Sequence, residues 1–259
     1  MKTIIFCEGT TDLLMIQFVL QYKYDWKYQG FVENSVSNRL LKRILKKDGD
    51  LVEINSCGGM MNIPNEMSKL KDKLELATKR DELYDKVIVM IDHDTMTTNA
   101  EFLDKINEKL ETDFKEYHMN TDVEWSIYNG VFGNYVVPFF IKCIPESETG
   151  AIETVLLEAL GTDELEKGLI SDSKKFIEET AENQNRYLQK KSRVCKAIFN
   201  TYFAIRTPEE KYDERARVLK AYDWRNNPVL SQGFDFLDIS AQHYTIIMCT
   251  KKVETYLLF

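Results

Sequence analysis

Two short apolar runs, each ending in acidic residues, constrain the fold most. The first is Thr3-Ile4-Ile5-Phe6-Cys7, followed by Glu8-Gly9-Thr10-Thr11-Asp12, and the second is Lys86-Val87-Ile88-Val89-Met90-Ile91, followed by Asp92-His93-Asp94. Runs of this length and β-branched content are typical of strands buried on both faces, as in parallel sheets. Helix-like sequence follows each run, so both acidic groups are expected at the carboxyl ends of strands, where α/β sheets bind ligands.

Four carboxylates, those of Glu8, Asp12, Asp92 and Asp94, are therefore expected at one edge of the sheet. Carboxylates brought so close together repel one another unless cations lie between them, and carboxylate oxygens suit Mg²⁺ or Mn²⁺. The sequence thus predicts a site for one of these cations. Asp12 has a simpler alternative role, because a carboxylate in the first turn of a helix complements the helix dipole. His93 should point away from its two neighbours and is interpreted as a packing residue.

The order and spacing of these residues carry a family resemblance. Glu8-Gly9-x-x-Asp12 after a first strand and Asp92-x-Asp94 after a later one resemble the motifs of a Toprim domain, the metal-binding fold shared by topoisomerases, bacterial primases, small RNA-maturing nucleases and OLD-type nucleases. The resemblance implies a Toprim-like α/β fold with a mostly parallel central sheet and helices on both faces. It implies that Glu8, Asp92 and Asp94 are metal ligands and catalytic residues, and that Asp12 helps to complete a second metal site. As an alternative to ligation, Glu8 would act as general acid or base.

Two further positions look like those of stand-alone Toprim proteins related to the OLD-family nucleases. Ile152-Glu153 follows a predicted strand and looks like the Leu-Glu pair that supplies another carboxylate, which adds Glu153 to the metal and catalytic set. Lys190-Lys191 looks like the late catalytic lysine near the metals. Each position also has a plain structural interpretation: Glu153 complements the N-terminus of a helix, and the lysines belong to a solvated helix face.

The resemblance implies a Mg²⁺-dependent phosphoryl-transfer enzyme, and specifically a nuclease acting on DNA or RNA. Other Toprim activities fit less well. A topoisomerase would need a long gate-forming region and a nucleophilic tyrosine outside this domain, for which 259 residues leave no room. A primase would usually bring a zinc-binding module, which the cysteines do not indicate. OLD nucleases carry a P-loop ATPase domain ahead of Toprim, whereas the Toprim-like domain predicted here covers residues 1–160. Any ATPase is therefore expected to be a separate partner. The first alternative is a non-catalytic Toprim module that binds nucleic acid or protein, and the second is a flavodoxin-like or receiver-like fold with one Mg²⁺.

Charge alone argues against a nucleic-acid partner, since the 259-residue chain has a net charge of −8. The distribution of the charge weakens this argument, because residues 186–225 contain eleven Lys and Arg against five Asp and Glu. Lys190, Lys191, Arg193 and Lys196 are therefore expected to contact a nucleic-acid backbone, with a solvated helix surface as the alternative.

The cysteines indicate a reducing compartment. The chain has five, widely scattered and without a C-x-x-C pair, so neither a disulfide framework nor a zinc ribbon is predicted. We expect a cytoplasmic protein without a signal peptide or membrane span. The oligomeric state is left open.

The pattern along the chain predicts two parts, a Toprim-like α/β domain over 1–160 and a largely helical C-terminal extension over 161–259 that packs on the same core. Strands are expected near 2–7, 51–54, 86–91 and 136–144, and more apolar segments at 244–249 and 253–259. Helices are expected near 10–22, 38–47, 64–80, 101–110, 163–169, 173–182 and 186–202. Gly58-Gly59 is interpreted as a strand-to-helix turn, with close approach of the backbone to a ligand as the alternative.

Overall fold

The computed structural model describes residues 1–33, 41–115, 118–146, 149–183, 186–208, 219–220 and 222–239. The strands are β1 (Lys2–Cys7), β2 (Lys27–Glu33), β3 (Leu41–Lys47), β4 (Asp50–Ser56), β5 (Lys86–Asp92), β6 (Asp122–Asn129) and β7 (Gly133–Ile144). The helices are α1 (Thr10–Phe18), α2 (Ile63–Glu75), α3 (Met96–Leu110), α4 (Ile152–Leu160), α5 (Glu164–Asn183), α6 (Lys191–Arg206) and α7 (Pro228–Gly233).

All seven strands form one sheet in the order β2-β3-β4-β1-β5-β7-β6. The four central strands, β4, β1, β5 and β7, run parallel, while β2 with β3, β3 with β4, and β6 with β7 pair antiparallel. Helices connect the parallel strands, because parallel neighbours need a long crossover. The prediction of an α/β fold with a mostly parallel central sheet is therefore confirmed.

The sheet is covered on both faces, as predicted. Alternate residues of β1 belong to different cores: Ile5 and Cys7 join the cluster packed under α1, α4 and α6, whereas Ile4 and Phe6 join the cluster packed under α2 and α3. Every residue of β5 is buried. A strand so enclosed can expose polar groups only at its ends, which is where Asp92 lies.

The predicted helix over 38–47 is wrong for the residues described. Leu41–Lys47 is β3, and residues 38–40 lie outside the described part. Asp48 and Gly49 adopt φ values of 49° and 92° between paired Lys47 and Asp50, which makes a two-residue hairpin turn. The hairpin places Lys42 beside Glu53 of β4, where the two form an ion pair. Four of the basic residues behind the prediction of a basic helix, Lys42, Arg43, Lys46 and Lys47, thus lie along a strand.

Other elements differ from expectation in number or bounds. No strand was predicted at β2 or at β6, both of which lie at an edge of the sheet. The two helices predicted over 163–169 and 173–182 form one helix, α5. Helix α3 begins five residues early because the Thr95 side chain accepts the Thr98 N–H and caps it there. Helix α6 is displaced toward the C-terminus, to Lys191–Arg206.

The part after residue 160 packs on the sheet rather than apart from it. Tyr202, Trp224 and Phe234 belong to the same core cluster as Ile5 of β1. The apolar segments predicted at 244–249 and 253–259 lie outside the described residues. Within the described ranges, no helix combines the length and apolar character that a membrane crossing requires.

Candidate metal centre

A cavity of about 220 Å³ opens at the carboxyl ends of β1 and β5. We call it the carboxylate cavity. Four acidic side chains and one basic side chain line it, with backbone from the starts of α1 and α4 and from the turn after β4: Glu8, Asp12, Asp92, Glu153, Lys196, Gly9, Thr10, Thr11, Gly58, Gly59 and Ile152. Three of the four acidic residues are almost completely buried, so their negative charges are poorly screened by water.

Glu8 and Asp92 meet because their strands are neighbours in the sheet. The register pairs Cys7 of β1 with Met90 of β5, so both acids follow at the same end of the two strands. The Asp92 N–H donates to Glu8 Oε1 over 2.8 Å. This closeness is what the sequence predicted for the two residues.

Both carboxylate oxygens of Asp92 have donors. The Ile152 N–H at the start of α4 donates to Oδ1 over 3.0 Å, and the Lys196 ammonium donates to Oδ2 over 3.1 Å. Asp92 is 5% exposed, so its charge depends on these partners rather than on water. Burial raises the pKa of Asp92, and Lys196 and the Ile152 N–H limit the rise.

Asp12 holds the first turn of α1 and also faces the cavity. Its Oδ2 accepts the Gly9 N–H over 2.8 Å, which satisfies a backbone donor that the helix cannot. Burial, followed by the charges of Asp92, Glu8 and Glu153, raises its pKa well above the ordinary range. The structural and the metal-related interpretations of Asp12 are therefore compatible.

Glu153 supplies a carboxylate oxygen without a partner. The side chain is 7% exposed, and its Oε2 has no hydrogen-bond partner in the described part of the chain. Burial raises the pKa of Glu153, and the charge of Asp92 adds to the rise. Leaving a carboxylate oxygen buried and unpaired costs free energy, so this atom indicates a missing cation or donor.

Like charges also crowd Glu8. Burial, together with the negative charge of Asp92, raises the pKa of Glu8 to about 8. Asp94 contributes to this field, since its charge raises the pKa of both Glu8 and Asp92. Asp94 itself is half-buried and lies just outside the cavity lining.

His93 ties β5 to the segment that leads to α4, in line with its predicted packing role. Its N–H donates to Ile144 O over 2.8 Å, its carbonyl accepts the Gly150 N–H over 2.7 Å, and its Nδ1 lies 3.0 Å from Pro145 O. These bonds fix the approach to α4, and therefore where Glu153 enters the cavity.

The lysine at the cavity is not one of the two that the resemblance indicated. Lys190 occupies the N-cap position of α6, and Lys191 is the first residue of the helix. Both are exposed, and neither lines the cavity. Lys196 lies more than one turn further along α6 and reaches Asp92. Sequence reasoning placed Lys196 only among contacts to a nucleic-acid backbone. Its ion pair spans 104 residues of sequence, and no local pattern marks such a pair.

The turn after β4 brings backbone to the cavity. Gly58 and Gly59 have φ values of 74° and 132°, which favour glycine. The Gly59 N–H donates to Glu8 O over 2.8 Å and holds the turn against the end of β1. Gly58 and Gly59 thus form the turn after β4, and both also line the cavity. The two interpretations of this pair are therefore compatible.

The donor set fits a hard divalent cation. It consists of carboxylate oxygens, which suit Mg²⁺ or Mn²⁺, and it includes the unpaired oxygen of Glu153. As placed, however, no three His, Cys, Asp or Glu side chains of the described residues form a group ready to hold an ion. The Lys196 ammonium instead supplies positive charge at Asp92. Ion binding would therefore require these side chains to rearrange.

Comparison with known proteins identifies the fold and the family. A solved structure of a hypothetical protein, PH0156 from Pyrococcus horikoshii OT3, is similar to the chain with a TM-score of 0.56 and 14% identity, covering 93% of this chain and 96% of that chain. At this identity the similarity concerns the fold alone. No curated protein matches the chain. The model of the family described as "Protein of unknown function (DUF3226)" matches residues 2–238, and the chain therefore belongs to this family.

Proposed function

We propose that the protein is a Mg²⁺- or Mn²⁺-dependent phosphoryl-transfer enzyme of Toprim-like fold, a nuclease acting on DNA or RNA phosphodiesters. The observation that carries the proposal is the meeting of Glu8, Asp92 and Glu153 from three separate elements in one cavity that also holds an unpaired carboxylate oxygen. Structural stability alone gives no reason to bury four repelling carboxylates in one place. Such clusters of perturbed carboxyl groups are typical of functional sites.

Each side chain has a definite part in this proposal. Glu8, Asp92 and Glu153 would hold one or two ions, with Asp12 and Asp94 as further carboxylates at the margin of the site. A bound Mg²⁺ or Mn²⁺ would activate water and stabilise the charge on the transferring phosphoryl group. As an alternative to ligation, Glu8, whose pKa is raised to about 8, would hold a proton near neutral pH and transfer it.

The phosphate would approach from the open side of the cavity. Thr10 and Thr11, the first residues of α1, and the Gly58-Gly59 turn line the cavity with hydroxyl and backbone groups. A helix N-terminus favours an anion there. Lys196 supplies the one positive side chain of the described lining. A nucleic-acid chain would extend along the basic surface at the start of α6, where Lys190 and Arg193 are exposed.

A second candidate function rests on the ion pair of Asp92. Both oxygens of this carboxylate are already bonded, and the described acids are not arranged around a common point. A module that binds nucleic acid or protein without catalysis would need no more than this. The two functions differ in whether turnover depends on a divalent ion.

The test is a cleavage screen on labelled single- and double-stranded DNA and RNA with Mg²⁺ or Mn²⁺. Asp92→Asn removes a charge while nearly preserving shape, and activity should fall by orders of magnitude because metal-stabilised charge contributes several kcal/mol in the transition state. Binding to the same nucleic acids should change much less. Asp104→Asn makes the same change at an exposed position of α3 and should leave both unchanged.

Two outcomes would contradict the enzyme. One is equal cleavage by the natural protein and the Asp92→Asn variant, which would assign activity to a contaminant. The other is no cleavage of any substrate together with intact binding, which would favour the module. Because the OLD nucleases that the motifs resemble carry an ATPase domain, the screen should be repeated with a candidate ATPase partner before the module is accepted.

A further inference from the structure

Lys196 brings a positive charge to a place where an ion would otherwise be needed. Its ammonium lies 3.1 Å from Asp92 Oδ2. Burial by itself would lower the pKa of Lys196, but the charges of Asp92, Glu153 and Glu8 outweigh burial and raise it. These acids therefore favour the charged form of the ammonium.

The same ammonium blocks part of the donor set. The Ile152 N–H engages Asp92 Oδ1, and Lys196 engages Oδ2. A divalent ion and an ammonium cannot both lie within contact distance of one oxygen without strong repulsion. While Lys196 stays in place, its positive charge therefore disfavours a divalent ion at Oδ2 of Asp92.

A second position remains open. Oε2 of Glu153 is buried and without a partner in the described part of the chain, although its residue lines the same cavity as Lys196. The charge of Lys196 reaches Glu153, but no hydrogen bond joins them. Of the four carboxylates in the cavity, that of Asp92 is ion-paired with Lys196, whereas that of Glu153 has one oxygen without a hydrogen-bond partner.

We propose that the Lys196 ammonium occupies one of two cation positions in the carboxylate cavity, so that the resting site takes a single divalent ion, on the Glu153 side. The inference rests on the proposed metal site and names the residue that regulates its occupancy. The Lys196 side chain is 46% exposed, so the ammonium can move toward solvent when an anionic phosphate reaches the mouth of the cavity. Its departure frees Asp92 Oδ2 for a second ion, which makes two-ion occupancy dependent on substrate.

The test is a calorimetric titration of the full chain with Mn²⁺ alone. The natural protein should bind one ion. Lys196→Met removes the charge from a half-exposed stem, and it should bind two ions or bind the first at least tenfold more tightly. Lys175→Met makes the same change at an exposed position of α5 and should behave as the natural protein does. Lys196→Arg retains the charge and should bind one ion.

The outcomes separate this inference from the proposed function. If Lys196→Met binds Mn²⁺ with the natural number and affinity, or binds less, the lysine is not a cation substitute, even though the metal site stands. If only Lys196→Met binds Mn²⁺, the ammonium excludes every ion from the resting site, and the proposed single ion on the Glu153 side is contradicted. If neither binds Mn²⁺ while both melt cooperatively, the metal site itself is wrong and the inference falls with it.

Discussion

Glu8 shows how the carboxylate cavity changes the protonation of a buried acid. It follows a buried strand, accepts the Asp92 N–H, and faces three other acids. Burial and the neighbouring charges raise its pKa to about 8, against an ordinary value of 4.5. In the unfolded chain the group is solvated and returns to its ordinary pKa. Folding therefore binds a proton at this group over the intervening pH range.

The proton held by Glu8 makes the stability of the metal-free protein depend on pH. Between about pH 4.5 and pH 8 the folded state retains a proton that the unfolded state has released, so the free energy of unfolding falls as pH rises. We expect the melting temperature of the metal-free protein, measured in chelator, to decrease across this range. Excess Mg²⁺ should reduce the decrease, because the ion binds the ionised form and displaces the proton.

Glu8→Gln is the matched variant for this experiment. It keeps the size of the side chain and cannot ionise, so part of the decrease should disappear, while the part due to Asp12 and Asp92 should remain. A melting temperature that rises between pH 5 and pH 8 in chelator would show that the carboxylates are not crowded as described.

Local sequence predicted some residues of the site and not others, for a physical reason. Glu8, Asp12 and Asp92 could be found because each follows a strand signal within a few residues, and parallel strands bring their ends together. Glu153 was found through resemblance. Lys196 could not be placed, since its position depends on where α6 begins and on how that helix packs across the sheet.

Among the elements, the buried strands were predictable and the edge hairpins were not. The central residues of β1 and β5 are apolar because both faces of these strands are covered. Strand β3 lies near one edge, is only partly buried and carries Lys42, Arg43 and Lys46, so its sequence resembled a solvated helix. The overlooked signal was Asp48-Gly49, a pair that favours a two-residue hairpin turn.

Two glycines should respond in opposite ways to the same substitution. Gly49 has a φ of 92° in the β3–β4 turn, where an alanine is strained, so Gly49→Ala should lower the free energy of unfolding by about 1 kcal/mol. Gly168 lies in the exposed interior of α5 with open space around its missing Cβ, so Gly168→Ala should raise it by about 1 kcal/mol.

Urea denaturation of the two variants and the natural protein measures both changes. Each variant serves as the control for the other, because the chemical change is identical. Stabilisation by Gly49→Ala would contradict the hairpin and favour the helix that the sequence suggested. Destabilisation by Gly168→Ala would contradict a continuous α5 through that position.

For the whole molecule, the sheet and the two layers of helices assemble a site from distant parts of the sequence. Glu8, Asp92, Glu153 and Lys196 reach one cavity from β1, β5, α4 and α6. The same architecture extends over nearly the full length of a structure that shares 14% of its residues. Similarity at such low identity concerns the fold alone, so the function has to be tested at the site itself.

The central claim is that this cavity holds a divalent ion on its carboxylates. Diffraction from crystals grown with Mn²⁺, measured for the anomalous signal of manganese, tests it most directly. We expect an anomalous peak in the cavity with oxygens of Glu153 and Glu8 about 2.1 Å from the ion, a distance typical of small divalent cations. Crystals of Glu153→Gln should show a weaker peak or none. If saturating Mn²⁺ leaves the cavity without a peak and Lys196 still on Asp92, the carboxylates do not form a metal site.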